Sequence, residues 1–459
     1  MSRSTVIVGA GISGLATAHY LQQRGCAVTV LEMSRHIGGK IRTADVLGLA
    51  VDTGPDAFLA RGADLHQLID DLGLTSEIVE PQTSGSYIWS RGRLRRLPPG
   101  MAFGLPERLW PLLRSGLLSP TGVARAGLDV VLPTTRLGAD PSIADLVRPR
   151  FGTDVYRRLV EPLLGGVHAG DPARLSARST APEVYALADG HRSVYLSLRR
   201  RRAAAPRPSG RPAAPLVTVN GGLGRLVEAL TASLGESVVH TGVGVEGLTS
   251  RGDGWRLDTN KGTLDADAVV LAIPAYGAAD LLRPWSAELA ATLDAIRYVD
   301  VANATLAYPR HEVPDLPPGT GFLVPPVEGE FIVGCTWLTN KWPYLRNDDL
   351  VLIKCMVGRD GDTRWLHYSD DQIIEGAREG LSRILGIQAD PIASHVRRWP
   401  QAMPQYTVGH SERLAAIDRH LAGLPGLYVT GAAYRGAGLA ACTTQAAATA
   451  RAITEGGSP

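Results

Sequence analysis

The spacing of glycines near the N-terminus is the feature of this sequence that most directly indicates chemistry. Residues Gly9, Ala10, Gly11, Ile12, Ser13 and Gly14 form the pattern G-x-G-x-x-G between a β-branched run and a helix-like segment. In such a unit the first glycine permits a tight turn, the second lets the backbone approach a pyrophosphate, and the third allows helix and strand to pack closely. Glu32 ends the next strand-like run, where a carboxylate can bind ribose hydroxyl groups. The combination predicts a dinucleotide site.

A second pair of glycines indicates which dinucleotide is bound. After Glu32 the chain continues with Gly38, Gly39, Lys40 and Thr43. This arrangement resembles the G-G-[RK]-x-x-[ST] signature of the superfamily of FAD-dependent amine oxidases and phytoene desaturases. The resemblance implies FAD rather than a nicotinamide cofactor.

The C-terminus contains a similar glycine pattern that we interpret differently. Residues 436–441 match G-x-G-x-x-A, but too few residues follow them for another helix, strand and ribose-binding acid. We therefore predict a single helix from Leu439, with its N-terminus directed at the flavin ring, where it would stabilise negative charge near N1 and O2. The alternative is a buried helix without a ligand. On the first interpretation, the two ends of the chain build one FAD site.

Composition excludes several classes of protein. The chain has 459 residues, of which 44% are hydrophobic and 20% charged, as is typical of a folded protein of about three domains. A formal charge of only +2 offers no basic excess for nucleic acid. The four cysteines are scattered without C-x-x-C spacing, so we expect neither a disulfide framework nor a metal site, and a cytoplasmic location fits. No apolar run approaches the ~18 residues of a transmembrane span.

The predicted fold class is α/β, with a discontinuous Rossmann-like FAD-binding domain, an inserted helical region and a mixed-sheet substrate domain. The basic, proline-rich stretch near 199–215 is interpreted as an exposed loop, with contact to an anionic lipid surface as the alternative. The expected segments are 1–80, 216–284 and 396–459 for the FAD-binding domain, 95–215 for the helical insertion, and 81–94 (a hairpin) with 285–395 for the substrate domain.

Further segments resemble the porphyrinogen oxidases of haem synthesis. Residues 161–172, followed by Leu175 and Ser176, are similar to that family's motif E-P-L-x-x-G-V-x-A-G-D-P-x-x-L-S, and residues 321–325 are similar to its G-F-L-V-P strand. Three more segments resemble the branch of Gram-positive bacteria and actinobacteria, which acts on coproporphyrinogen III rather than protoporphyrinogen IX. These segments are 335–337, 341–343 and 357–362.

The resemblance implies contacts to both cofactor and substrate. Non-covalent FAD is expected to touch Gly9, Ala10, Gly11, Ile12, Ser13, Gly14, Glu32, Met33, Lys40, Gly54, Pro55, Asp56, Ala57, Val245, Trp399, Ala437, Gly438 and Leu439. Because coproporphyrinogen carries four propionates, cations should line its pocket. The candidates from the family-like segments are Arg61, Lys341 and Arg359, while Gly62 stands where Gram-positive relatives often have a lysine.

The implied reaction removes six electrons from a tetrapyrrole in three two-electron rounds through FAD, with O2 as the expected acceptor giving H2O2. No Ser/His/Asp or Cys/His constellation is evident, so no catalytic residue is assigned. The nearest alternative is oxidation of protoporphyrinogen IX. More distant ones are an amine oxidase, a carotenoid-type desaturase and a relative without flavin. The electron acceptor, the oligomeric state, peripheral membrane contact and transfer of product to the next enzyme of haem synthesis stay open at this stage.

Overall fold

A five-stranded parallel sheet is the centre of the structure, a computed structural model that describes residues 3–134, 137–204, 214–252 and 254–456. From one edge to the other, its strands are Val239–Thr241, Ala27–Glu32, Ser4–Val8, Ala268–Leu271 and Leu427–Val429. We call it the parallel sheet. Because its strands come from the start, the middle and the end of the chain, this part of the α/β fold is discontinuous in sequence, as predicted.

Helices cover both faces of the parallel sheet, because its strands are apolar on both sides. One face packs against Ile12–Gln23, Gly224–Leu234 and Leu439–Glu455. The other face packs against Ala275–Leu282, Ala287–Asp294 and His410–Leu421. Buried alanines on the first and last helices, among them Ala16 and Ala450, let these two helices approach closely. This contact brings the two ends of the chain together.

A seven-stranded mixed sheet forms the second layer. In spatial order its strands are Ala393–Pro404, Tyr298–Pro309, Leu350–Val357, Ile332–Trp337, Gly321–Leu323, Tyr87–Ser90 and Arg93–Arg96. The last two form the hairpin, which joins the sheet through parallel pairing with Gly321–Leu323. Helix Asp370–Leu385 packs on one face, and its N-terminus is closed by a capping box from Ser369.

Short helices dominate the region between the hairpin and the middle of the chain. They are Leu109–Ser115, Pro120–Gly127, Ile143–Phe151, Thr153–Val155, the π-helical stretch Tyr156–Gly165, Gly166–His168, Ala177–Thr180, Pro182–Ala188 and Val194–Ala204. Two very short strands, Met101–Ala102 and Leu105–Pro106, precede them. All of these helices except Gly166–His168 contribute side chains to one apolar core.

The first part of the basic stretch differs from the predicted loop. Residues 199–204 belong to helix Val194–Ala204. Arginine is a good helix former, and two of these side chains have acidic partners: Arg201 lies 3.2 Å from Glu183, and Arg202 lies 2.8 Å from Glu107. Residues 205–213 lie outside the described residues.

The remaining elements connect these layers. They are strands Thr43–Val46, Leu49–Asp52, Phe58–Leu59, Ile78–Val79, Leu216–Val219, Val245–Arg251, Gly254–Thr259 and Gly262–Ala266, helices Ala63–Asp71 and Leu338–Lys341, and 3₁₀ turns Thr75–Glu77, Leu128–Val130, Arg310–Glu312, Pro326–Glu328, Pro343–Leu345 and Arg364–His367. Within the described ranges, no helix is both long and apolar enough to cross a membrane.

Candidate cofactor and active site

The glycine loop at the carboxyl end of the first strand leaves open space at one of its three glycines. Gly9 has φ +105°, and a Cβ there would lie 2.8 Å from the oxygen of Ala272. A Cβ on Gly14 would lie 2.0 Å from the oxygen of Gly9. Gly11, in contrast, has an ordinary extended backbone, and its Cβ would meet only the Cα of Gly39, at 4.0 Å. Gly9 and Gly14 therefore serve packing, whereas Gly11 borders open space.

We call the surface around this open space the groove; it is lined by Gly11, Glu32, Met33, Lys40, Gly54, Trp399 and Gly438. One end of the groove is formed by the end of the strand Ala27–Glu32 and the residues beside it. The Glu32 carboxylate accepts hydrogen bonds from the N–H groups of Ala10 and Ser34, both at 2.9 Å. Met33 is 79% exposed, and its Cγ lies 3.6 Å from the position of a Cβ on Gly244, next to Val245. The N–H of Val243 also donates to the backbone oxygen of Glu32 at 2.9 Å, so Glu32 and Met33 lie beside the segment that leads into Val245.

The other end gathers residues from distant parts of the sequence. The N–H of Gly38 donates to the oxygen of Ala10 at 2.8 Å, which places the Gly38–Lys40 turn on the glycine loop. A Cβ on Gly54 would lie 2.1 Å from the oxygen of Lys40 and 3.4 Å from the ring of Trp399. Lys40, Gly54 and Trp399 are thus in contact in this second part of the groove.

Two helices begin at this groove without a side-chain cap. They start after Gly11 and after Gly438, so their first N–H groups are free to bind a ligand. A Cβ on Gly438 would meet nothing within 4 Å. Cys442, in the first turn of the C-terminal helix, contacts Ser13 and lies near Lys40. The helix that begins after Ala437, Gly438 and Leu439 therefore starts beside the N-terminal loop.

Lys40 supplies a positive charge to the same groove. Burial lowers the pKa of its ammonium group, and none of the described carboxylates lies within ion-pair distance of it. A desolvated cation without a protein counter-ion, two uncapped helix N-termini and space in front of two glycines suit an anionic ligand. These residues fit the pyrophosphate and ring of FAD.

A buried ion triplet lies beside Gly54. One oxygen of Asp56 accepts from Lys341 Nζ at 2.7 Å and from Trp342 Nε1 at 3.1 Å, and the other accepts from Lys354 Nζ at 3.0 Å. Burial by itself would raise the pKa of this carboxyl, but the two ammonium groups hold it well below its usual range. The structure therefore puts Lys341, 10% exposed, in an interior ion pair and not at the rim of a pocket, which corrects the position expected from sequence.

Lys354 is the residue of this site that sequence reasoning missed. Its Nζ also donates to the oxygens of Asp52, at 3.3 Å, and Gly54, at 3.1 Å. The signal that could have revealed it is a charged residue within the otherwise apolar strand Leu350–Val357, because a lysine in the interior is found almost only with a partner.

The Asp52 carboxylate is buried on the other side of the same turn. It accepts from the N–H of Leu223 at 2.9 Å and from the Thr43 hydroxyl at 2.7 Å. Burial raises its pKa to about 6. Asp52 therefore links the turn that contains Gly54 to the start of helix Gly224–Leu234.

A strip of the seven-stranded sheet lies next to Trp399. The strip consists of side chains that are neighbours in register across five strands, namely Arg397, Asn303, Met356, Gly334 and Leu323. A Cβ on Gly166 would lie 3.7 Å from Leu323, so the turn 165–169, which we call the covering turn, lies over this end of the strip. At the other end, the guanidinium of Arg397 lies 4.7 Å from the centre of the Trp399 ring.

His168 lies in the same covering turn. Its ring centre is 6.1 Å from that of Tyr406, and its backbone oxygen accepts from the side chain of Gln405. Burial lowers the pKa of His168 to about 4, so its imidazole is neutral at pH 7. The covering turn thus presents a neutral polar side chain.

The other two candidate substrate cations occupy different environments. Arg61 is 63% exposed, and its guanidinium lies 3.4 Å from the Glu183 carboxylate. Arg359 is partly buried, and burial lowers its pKa despite the nearby Asp362. The N–H of the next residue, Asp360, donates to the oxygen of Ala169 at 2.7 Å, so Arg359 lies against the covering turn.

The fold and the groove define an FAD-dependent oxidoreductase. A family model described as flavin containing amine oxidoreductase matches residues 12–454. The chain belongs to this family, and its cofactor is FAD.

Relatives extend over the whole chain. It is 35% identical over 456 residues to a coproporphyrinogen III oxidase of Bacillus subtilis, and the match covers 96% of each chain. It is 30% identical over 488 residues to a chloroplastic protoporphyrinogen oxidase of Oryza sativa, covering 99% of this chain and 89% of the relative. The crystal structure of a putative protoporphyrinogen oxidase from Exiguobacterium superposes with a TM-score of 0.87 at 28% identity, covering 99% of both chains.

Proposed function

We propose that this enzyme oxidises coproporphyrinogen III to coproporphyrin III in haem synthesis. The observation that carries the proposal is the full-length identity of 35% to the coproporphyrinogen III oxidase of Bacillus subtilis. The strip of the seven-stranded sheet supports it, because the strip extends over five strands and includes the apolar side chains of Met356 and Leu323, and ligand sites are lined mainly by apolar side chains.

The proposal assigns cofactor contacts to the groove. The backbone of Gly11 and the N-terminus of the first helix bind the pyrophosphate, and Glu32 binds the adenosine ribose, with Met33 and Val245 at the adenine. Lys40, the turn that contains Gly54, Trp399 and the helix start at Gly438 surround the isoalloxazine. Bound there, FAD would supply the two-electron acceptor that each of the three rounds of oxidation needs.

The residues of the protein then act by placement. Met356 and Leu323 hold the macrocycle against the flavin, the covering turn lies over it and keeps water away, and Arg359 binds a propionate. Arg397 is a further candidate, since its Nε has no hydrogen-bond partner among the described residues. Aromatic product formation favours the reaction, so no strong general base is assigned.

The proposal also includes the cellular setting. O2 is the electron acceptor and H2O2 its product, and the enzyme works in the cytoplasm. Peripheral contact with a membrane and delivery of coproporphyrin to the next enzyme of haem synthesis are further parts of this proposal.

Protoporphyrinogen IX is the second candidate substrate, favoured by the 30% identity to the rice enzyme. It bears two propionates where coproporphyrinogen III bears four. The test is to measure kcat/KM for both porphyrinogens with the purified holoenzyme, following porphyrin fluorescence. We expect the value for coproporphyrinogen III to be at least about tenfold higher, since each additional charge-assisted contact is worth about 1.5–3 kcal/mol. A higher value for protoporphyrinogen IX would reverse the assignment.

A further inference from the structure

Three of the protein's four lysines lie at the end of the groove that contains Gly54 and Trp399. The chain contains only Lys40, Lys261, Lys341 and Lys354, and the remaining 43 of its 47 basic residues are arginines. Lys261 is on the surface, whereas Lys341 and Lys354 are buried. Lysine is thus concentrated at one place in the interior, while arginine supplies the cations elsewhere.

The ammonium of Lys354 uses all three of its donors on one turn. They reach the oxygens of Asp52 and Gly54 and the Asp56 carboxylate, at 3.0 to 3.3 Å. The oxygen of Thr53, between these residues, accepts from the side chains of Asn303 at 2.8 Å and Trp399 at 3.2 Å. Side chains from three adjacent strands of the seven-stranded sheet therefore bind three successive carbonyl groups of this turn.

The charges around this turn sum to a positive value. Asp56 shares its single negative charge between Lys341 and Lys354. Asp52 and Glu32 add two carboxylates. Lys40, Arg42 and Arg397 add three cations, of which Arg42 is repelled by Arg397 and attracted by Glu32. The three carboxylates are thus outnumbered by the five cations near them.

We propose that Lys354 is a positioning residue for the flavin, which holds the turn 52–56 against the isoalloxazine and, with Lys341, leaves a positive charge beside it. The inference rests on the proposed cofactor contacts of the Gly54 turn but not on the identity of the substrate. A buried charge acts through a low dielectric and is weakly screened. It therefore stabilises the negative charge of the reduced flavin and raises the reduction potential of the cofactor.

The test compares variants that change this charge in opposite directions. K354M removes a positive charge and leaves Asp56 paired with Lys341, whereas D56N leaves both lysines without a counter-charge. The potential of bound FAD is measured at pH 7 by dye-coupled reduction without porphyrinogen, and the Kd of FAD is measured in parallel. K261M, which changes the exposed lysine, is the matched control.

We expect K354M to shift the equilibrium between oxidised and reduced bound flavin towards the oxidised form, and D56N to shift it towards the reduced form. Each variant should change the equilibrium constant at least tenfold, or about 30 mV for a two-electron couple. K354R retains the charge but not the compact donor geometry. Its equilibrium constant for flavin reduction should therefore stay within threefold of the wild-type value, while its Kd for FAD rises. Simple loosening of the turn cannot produce shifts of opposite sign.

Two results would overturn the inference. One is that K354M and D56N shift the potential in the same direction; the other is that both variants change the equilibrium constant for flavin reduction by less than twofold. Either result would leave the proposed substrate untouched, because no porphyrinogen enters the measurement. Conversely, the expected potentials in an enzyme that fails to oxidise coproporphyrinogen III would refute only the proposed function.

Discussion

At the scale of residues, Asp52 and Asp56 show how partners decide the protonation of buried groups of the same type. Both carboxyls are buried in one turn, and the pKa of Asp52 is raised while that of Asp56 is lowered. Asp56 has two ammonium groups on its oxygens, whereas Asp52 has one N–H and one hydroxyl. Hydrogen bonds from neutral donors offset less of the desolvation cost of a carboxylate than contacts with ammonium groups do.

The raised pKa of Asp52 predicts a pH-dependent contribution to stability. Its folded pKa of about 6 exceeds the ordinary value of 3.8, so the folded state holds the proton more tightly, and stability is lost as the pH rises from about 4 to about 6. The difference in unfolding free energy, wild type minus D52N, should fall by about 3 kcal/mol over that interval. Urea unfolding of both proteins across the pH series measures it, and a difference independent of pH would refute the assignment.

The two arginines that remain candidates for propionate binding predict different effects. Arg359 is partly buried against the covering turn, so R359A should raise the KM for coproporphyrinogen III about tenfold, the loss of one charge-assisted contact. Arg61 is exposed and already paired with Glu183, so R61A should change the KM less than twofold. Steady-state kinetics of the two variants side by side distinguish them, and the reverse ranking would remove Arg359 from the site.

Sequence reasoning predicted features that are local in the sequence and missed contacts between distant residues. The loop from Gly9 to Gly14 could be predicted because its strand, turn and helix are consecutive. Lys354 could not, since the oxygen of Asp52 that it binds lies 302 residues earlier in the chain. The buried position of Lys341 could not be predicted for the same reason, because its partner Asp56 is separated from it by 285 residues.

At the scale of elements, the proposed cofactor contacts depend on the helix starts at Gly11 and Gly438. Both glycines have negative φ and extended ψ, a backbone that any residue adopts. A methyl group on either would meet no protein atom closer than 4.0 Å. Alanine at these positions should therefore fold normally and interfere only with a ligand.

We predict that G11A and G438A each raise the Kd of FAD at least about tenfold while the Tm of the apoprotein stays within about 2 °C, which corresponds to less than about 1 kcal/mol. The backbone can no longer approach the ligand where the methyl group stands. G138A is the control, because a Cβ on Gly138 also meets nothing within 4 Å but lies away from the groove. Flavin fluorescence titration gives the Kd values, and unchanged affinity in G11A would exclude this loop from the pyrophosphate site.

Predictions about elements succeeded where the local signal was strong and failed where tertiary partners intervened. The single C-terminal helix follows from the alanine-rich sequence and ends at Glu455. The prediction of a loop was wrong for residues 199–204. The run of arginines does not by itself reveal the acidic partners, Glu183 for Arg201 and Glu107 for Arg202, that lie next to this helix in the folded chain.

At the scale of the whole molecule, the proposed active site lies where the parallel sheet and the seven-stranded sheet meet. The parallel sheet supplies the glycine loop and both helix starts, whereas the seven-stranded sheet supplies Trp399, Lys354 and the strip next to Trp399. Their junction is the turn 52–56, which Asn303 also binds. The α/β class and the discontinuous sheet could be predicted from motifs, but this junction could not. The domain limits from sequence stay predictions.

The central claim, that a tetrapyrrole gives its electrons to FAD held at this junction, is tested most directly by an anaerobic titration. Oxidised holoenzyme is mixed with limiting coproporphyrinogen III. The absorbance of the flavin at about 450 nm and the fluorescence of the porphyrin are then followed together. Because the product lacks six electrons relative to the substrate, we predict that three equivalents of bound flavin are bleached for each coproporphyrin formed. Porphyrin formation at the same rate without bleaching would contradict the account.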